Sequence, residues 1–127
     1  MLIMGHSWIK SPKFRKVFSI EDIKRSQPGE IVLLEPLADS HTLAQYCQEN
    51  SIAYAVVTNT LDDALFINAL GAKFIICEED LALTIQPVAQ EYLFDTRVLV
   101  HIENEKEIAK IAKSGIDGVI FTEAIYL

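Results

Sequence analysis

Ala53-Tyr-Ala-Val-Val-Thr-Asn-Thr-Leu-Asp-Asp-Ala-Leu-Phe-Ile-Asn-Ala-Leu-Gly-Ala-Lys-Phe-Ile-Ile-Cys77 reads as strand, helix, strand. Ala53–Val57 and Phe74–Cys77 are short and apolar at consecutive positions, the pattern of parallel strands covered on both faces. Between them, Thr60 and Asp63 have capping-box spacing, so that a side-chain oxygen satisfies an orphan N–H three residues on. Gly71 falls where a left-handed residue would close the helix. This is a βα unit followed by the next strand.

The same unit recurs on both sides. Ile31–Leu34, Val98–Val100 and Val119–Phe121 are further apolar runs, and the five runs start about twenty to twenty-four residues apart, one βα unit each. Shifting the chain by 44 residues lays 53–79 on 97–123, with Val56 on Val100, Gly71 on Gly115, Ile76 on Ile120 and Glu79 on Glu123. Ser19 with Asp22 opens a short helix near 20–26, and Ser40 begins one through Glu49. Asn104 with Glu107 caps another. Pro87 predicts a kink or restart within 80–93. A complete eight-stranded barrel needs about 250 residues, against 127 here. The expected fold is therefore a single α/β domain with a five-stranded parallel sheet and helices on both faces, Rossmann-like or half-barrel. A further N-terminal strand near Arg15–Phe18 is an option.

Half of the residues are hydrophobic and 23% are charged, the composition of a folded domain. No apolar run approaches the roughly 18–20 residues of a membrane span, and the first residues lack a basic, then apolar, leader pattern. Cys47 and Cys77 stand thirty positions apart, outside any zinc or redox spacing. A reduced, cytoplasmic domain is expected. The net charge of −7 is uneven. Residues 1–27 hold six basic and two acidic side chains, and 28–127 hold five basic and sixteen acidic ones. The chain thus divides into a basic N-terminal arm with a short helix, 1–28, and an acidic α/β body, 29–127. Such an arm can contact nucleic acid or a membrane surface, with Trp8, surrounded by Lys10, Lys13, Arg15, Lys16 and Phe14, to stack on a nucleobase. Docking of the arm on its own acidic body or on a neighbouring subunit is the preferred reading.

Two family resemblances follow from particular segments. Glu30-Ile-Val-Leu-Leu-Glu35, Ala55-Val-Val-Thr58 and Ala69-Leu-Gly-Ala72 resemble the middle of a response-regulator receiver. That resemblance implies a phosphate site at Glu35 and Thr58, but glutamate stands where the family has its acceptor aspartate, and the family's N-terminal acidic pair and lysine are absent. Val98-Leu-Val-His-Ile-Glu-Asn104 with Gly115-Ile-Asp-Gly-Val-Ile-Phe121 resembles the metal-binding stretch of citrate-lyase-type aldolases on phosphoenolpyruvate-binding barrels. That resemblance implies Mg²⁺ on Glu103, while the family's second ligand falls on Ile125.

Ligands of open parallel sheets bind outside the strand C-termini. Those ends carry Glu35, Thr58, Asn59, Glu78, Thr122 and Glu123 as candidate ligand-binding residues. No glycine-rich phosphate loop follows any strand. His101 and Glu103 are the candidate catalytic pair, since alternate strand residues share a side. Glu103, Glu78 and Glu123 are the candidate metal ligands. No cofactor is expected otherwise. On the helix 61–70, Leu61, Ala64 and Leu65 form one face and Phe66, Ile67 and Leu70 point away from it. Something must cover that second face, either the arm (Trp8, Phe14) or a second copy of the chain. The leading expectation is a homodimeric interaction or regulatory module with a small-ligand site at the strand C-termini. The alternatives are a divalent-metal-assisted enzyme of half-barrel or aldolase type, and nucleic-acid binding through the arm.

Overall fold

The computed structural model describes residues 1–127. Five helices, α1 (Ile20–Arg25), α2 (Leu37–Glu49), α3 (Leu61–Leu70), α4 (Glu79–Glu91) and α5 (Ile108–Lys113), accompany eight strands. The strands are β1 (Leu2–Met4), β2 (Phe14–Lys16), β3 (Ile31–Leu34), β4 (Tyr54–Val57), β5 (Phe74–Cys77), β6 (Arg97–Ile102), β7 (Gly118–Phe121) and β8 (Ile125–Tyr126). They form one parallel sheet in the order β1-β7-β6-β5-β4-β3-β2-β8. The five apolar runs are β3 to β7. The sheet nevertheless has eight strands rather than five, because β1, β2 and β8 join its ends. Residues 1–28 therefore do not form a separate extension: they supply two strands of the sheet. No helix is long and apolar enough to cross a membrane.

The strand order decides where the helices lie. From β2 to β7 each strand is the neighbour of the next, so every right-handed crossover turns the same way and places its helix on the same face. The side chains divide accordingly. Val32, Tyr54, Val56, Ile75, Val100 and Val119 pack with Ala44, Ile67, Ala82, Ile85 and Ile111 of the helices. The alternate residues Phe14, Leu33, Ala55, Phe74, Leu99 and Ile120 form a second cluster with Met4 and Ala124, containing no residue from α1–α5. Helices on both faces are thus ruled out, and with them the doubly wound form, which needs a reversal of strand order.

A flat sheet would leave that second face in water. It is buried because the sheet curls. The rings of Phe14 and Phe74 lie 5.6 Å apart, although three strand spacings of about 4.8 Å separate β2 from β5 across a flat sheet. A single 3-10 turn, Thr122–Ala124, joins β7 near one end of the strand order to β8 at the other. Four residues of extended chain reach at most about 14 Å, so the two ends of the sheet approach each other. The architecture is a curled half-barrel. Gly118 permits the fit at β1, since a Cβ there would stand 2.5 Å from the Leu2 carbonyl oxygen.

Local signals resolve as follows. Thr60 Oγ1 accepts from the Asp63 N–H and Ser19 Oγ from the Asp22 N–H, each at 3.1 Å. Gly71 closes α3 at φ 93°. Asn104 caps through the N–H of Lys106 rather than Glu107, which produces a 3-10 turn before α5. Ser40 does not open α2: the helix starts at Leu37, and the Ser40 hydroxyl donates back to the Glu35 carbonyl at 2.6 Å. Helix α4 runs unbroken through Pro87. Both Pro87 and Leu83 are exposed, so the carbonyl that loses its partner there can turn to solvent.

Candidate functional site

Parallel strands bring all their C-termini to one rim, and the curl turns that rim into a mouth. Lys16 ends β2, Glu35 follows β3, Thr58 and Asn59 follow β4, Glu78 follows β5, and His101 lies on β6. Together with Ile125 of β8 they line a cavity of about 250 Å³. Strand alternation explains the layering. Leu33, Val57 and Ile76 form an apolar floor, and the next positions on the same side of each strand, Glu35, Asn59 and Glu78, are polar. Lys16, Glu35 and His101 are half-buried, while Asn59 and Glu78 are exposed.

The mouth is notable for what its polar groups do not bond. The chain's four ion pairs, His6–Glu105, Arg15–Glu30, Arg97–Asp117 and Lys110–Glu79, all lie outside it. No ion pair forms between the Lys16 ammonium and the Glu35 or Glu78 carboxylates, and none of these three side chains, nor Asn59, hydrogen-bonds to the protein. His101 Nε2 shares a 2.9 Å hydrogen bond with Thr122 Oγ1, which orients the ring from the 3-10 turn after β7. Thr58 is buried; its N–H donates to the Ile76 carbonyl at 2.9 Å and its hydroxyl to the Val56 carbonyl at 3.3 Å. Cys77 also lines the cavity. Burial, reinforced by the Glu78 charge, pushes its thiol up to about 12, so it stays protonated and is a poor nucleophile.

Glu103 and Glu123 belong to a different concavity. They line a groove of about 780 Å³ beneath the segment 5–13, together with Glu105, Lys10 and Lys13. The expected His101–Glu103 pairing does not form, because β6 ends at Ile102 and alternation stops with it; the partner of His101 is Thr122. The proposed metal set is split in the same way, with Glu78 in the mouth and Glu103 and Glu123 in the groove. No three His, Cys, Asp or Glu side chains group closely enough to hold a metal ion.

The segment 5–13 connects β1 to β2 without a helix and lies across the seam between the sheet's two ends. The His6 ring meets Phe121 at 5.7 Å and its Nε2 meets Glu105 at 2.8 Å. Lys13 and Arg15 stand 5.0 and 5.5 Å from the Tyr126 ring. Arg15 also pairs with Glu30 at 2.7 Å, and this hydrogen bond, with one from the Gln27 N–H, holds the Glu30 carboxyl below its usual range. The interface candidates separate. Phe14 and Ile67 are fully buried, so both are core residues rather than contact residues. On α3 the buried stripe is Ala64 and Ile67. Leu65, expected to face the sheet, is exposed, as is Phe66, which the arm does not cover. Leu70 is half-buried against the core, and Trp8 is 90% exposed.

Sequence reading did not place Lys16 in the site. It stood among the arm's basic residues, and the only available signal was the alternation of Phe14 and Lys16 along the optional N-terminal strand. No known family model matches the chain, and no curated protein does.

Proposed function

We propose that the protein is a non-catalytic regulatory or interaction module that holds a small polar molecule in the mouth of the half-barrel and acts as a homodimer. The observation carrying the ligand site is the set of unpaired polar side chains, Lys16, Glu35, Asn59 and Glu78, around an apolar-floored cavity of about 250 Å³. Polar groups without protein partners at a concave rim favour a ligand that supplies them. The absence of an activated nucleophile favours binding over chemistry: the lining thiol stays protonated, and His101 bonds to a threonine rather than to a carboxylate. Two free cysteines, both buried, accord with a reducing, cytoplasmic setting. The test is methyl NMR of the full chain against a panel of small polar metabolites. Shifts confined to Leu33, Val57, Ile76 and Ile125 are expected, and a panel that leaves those methyls unmoved refutes the site.

The dimer reading rests on α3. Leu65 and Phe66 are 42% and 64% exposed on adjacent positions, and an isologous pairing of two such faces is the commonest closed solution. Wild-type protein should sediment at twice the chain mass and Phe66→Glu at the chain mass. Equal masses for the two refute the pairing.

A further inference from the structure

We infer that the ligand of the mouth is a compact diamino carboxylic acid of the ornithine or lysine type, an inference that rests on the mouth being a ligand site. The charge pattern gives the class. One ammonium, Lys16, and two carboxylates, Glu35 and Glu78, face the same cavity without pairing with each other. Closing a ligand over them removes water from all three, and each then needs an opposite charge or a good hydrogen bond. A molecule with one carboxylate and two ammonium groups supplies one partner to each. A phosphate or dicarboxylate would meet two like charges for one unlike charge, and a neutral polyol would leave three charges uncompensated.

The floor gives the shape. Leu33, Val57 and Ile76 line the cavity beneath the charged groups, which suits a methylene chain carrying polar ends. The volume of about 250 Å³ is the share of roughly eight water molecules, the size of a short amino acid. The carboxylate sits at Lys16, and the two ammonium groups sit at Glu35 and Glu78. The chain's net charge of −7 also draws a cationic ligand toward it.

Calorimetric titration of the full chain with L-ornithine, 1,4-diaminobutane, L-norvaline, L-glutamate, inorganic phosphate and glucose tests this. L-Ornithine should bind tightest. Diaminobutane, lacking the carboxylate, and norvaline, lacking the terminal amine, should each bind about tenfold or more weakly. Lys16→Met should weaken ornithine without weakening diaminobutane, which is relieved of a like charge, and Glu78→Gln should weaken diaminobutane. Unchanged melting temperatures show that the variants fold. Equal affinity for ornithine and norvaline, or ornithine binding indifferent to Lys16→Met, overturns the inference. If glucose or phosphate moves the floor methyls and ornithine does not, the ligand class falls and the mouth remains a site. If no compound moves them, both readings fall.

Discussion

Replacing Phe14 tests the curl of the sheet more directly than any other change. Phe14 lies on β2, only one strand from the end of the sheet. In an open, flat sheet a side chain there would be half in water, and its truncation would cost little. Here it is fully buried, with its ring 5.6 Å from that of Phe74 at 53°. Phe14→Ala should therefore destabilise the protein by about 3–5 kcal/mol, a large share of a total of about 5–15 kcal/mol. Urea denaturation followed by circular dichroism measures this as a lower midpoint at constant slope. A milder pair, Phe14→Leu and Phe74→Leu, isolates the contact through a double-mutant cycle. Aromatic pairs at this spacing couple by about 0.5–1.5 kcal/mol, whereas residues more than about 7–10 Å apart add to within about 0.3–0.5 kcal/mol. Additive effects, or a cost for Phe14→Ala below about 1 kcal/mol, would refute the curled sheet and the mouth built on it.

Three further outcomes follow from particular residues. Gly118→Ala pushes a Cβ onto the Leu2 carbonyl oxygen at 2.5 Å; it should cost about 1–3 kcal/mol and speed amide exchange in β1 while β4 and β5 stay protected, and unchanged exchange in β1 contradicts the pairing of β1 with β7. Cys47 and Cys77, pushed up by burial to about 11 and about 12, should resist a disulfide reagent at pH 8 until the protein is unfolded, so prompt native labelling of either shows that its packing is wrong. Glu30 is held below its usual range by Arg15, so its ionisation adds stability above the unfolded-state pKa that is lost as pH falls through the lower folded-state value. Glu30→Gln should accordingly be less stable at neutral pH and lose less on acidification, and parallel stability–pH curves for the two proteins would contradict the Arg15–Glu30 bond.

The elements that sequence reading locates are those with local causes. The runs in β3 to β7 are apolar at consecutive positions because both faces of the sheet are covered, and that pattern is visible within four residues. Thr60, Ser19 and Gly71 act within one helical turn, so their roles are legible without tertiary information. The strand-end residues Glu35, Thr58, Asn59, Glu78 and His101 could be listed for the same reason, since each follows or closes a recognisable run.

What the tertiary structure decided concerns partners distant in sequence. β1 and β8 are three and two residues long, too short to carry a period, and they exist because β7 and β2 offer unpaired edges. The buried face of α3 differs from the one expected because Leu61, Ala64, Leu65 and Ile67 are all apolar; packing between sheet and neighbouring helices, rather than composition, selects Ala64 and Ile67 for burial. Sequence could not separate Glu78 from Glu103 and Glu123, nor join Lys16 to Glu78. Both follow from the curl. A run apolar at consecutive positions says that two faces are covered but not by what, and here one is covered by helices and the other by the sheet itself. That choice follows from the handed order of five crossovers and the closure of Phe14 onto Phe74, interactions no local window contains.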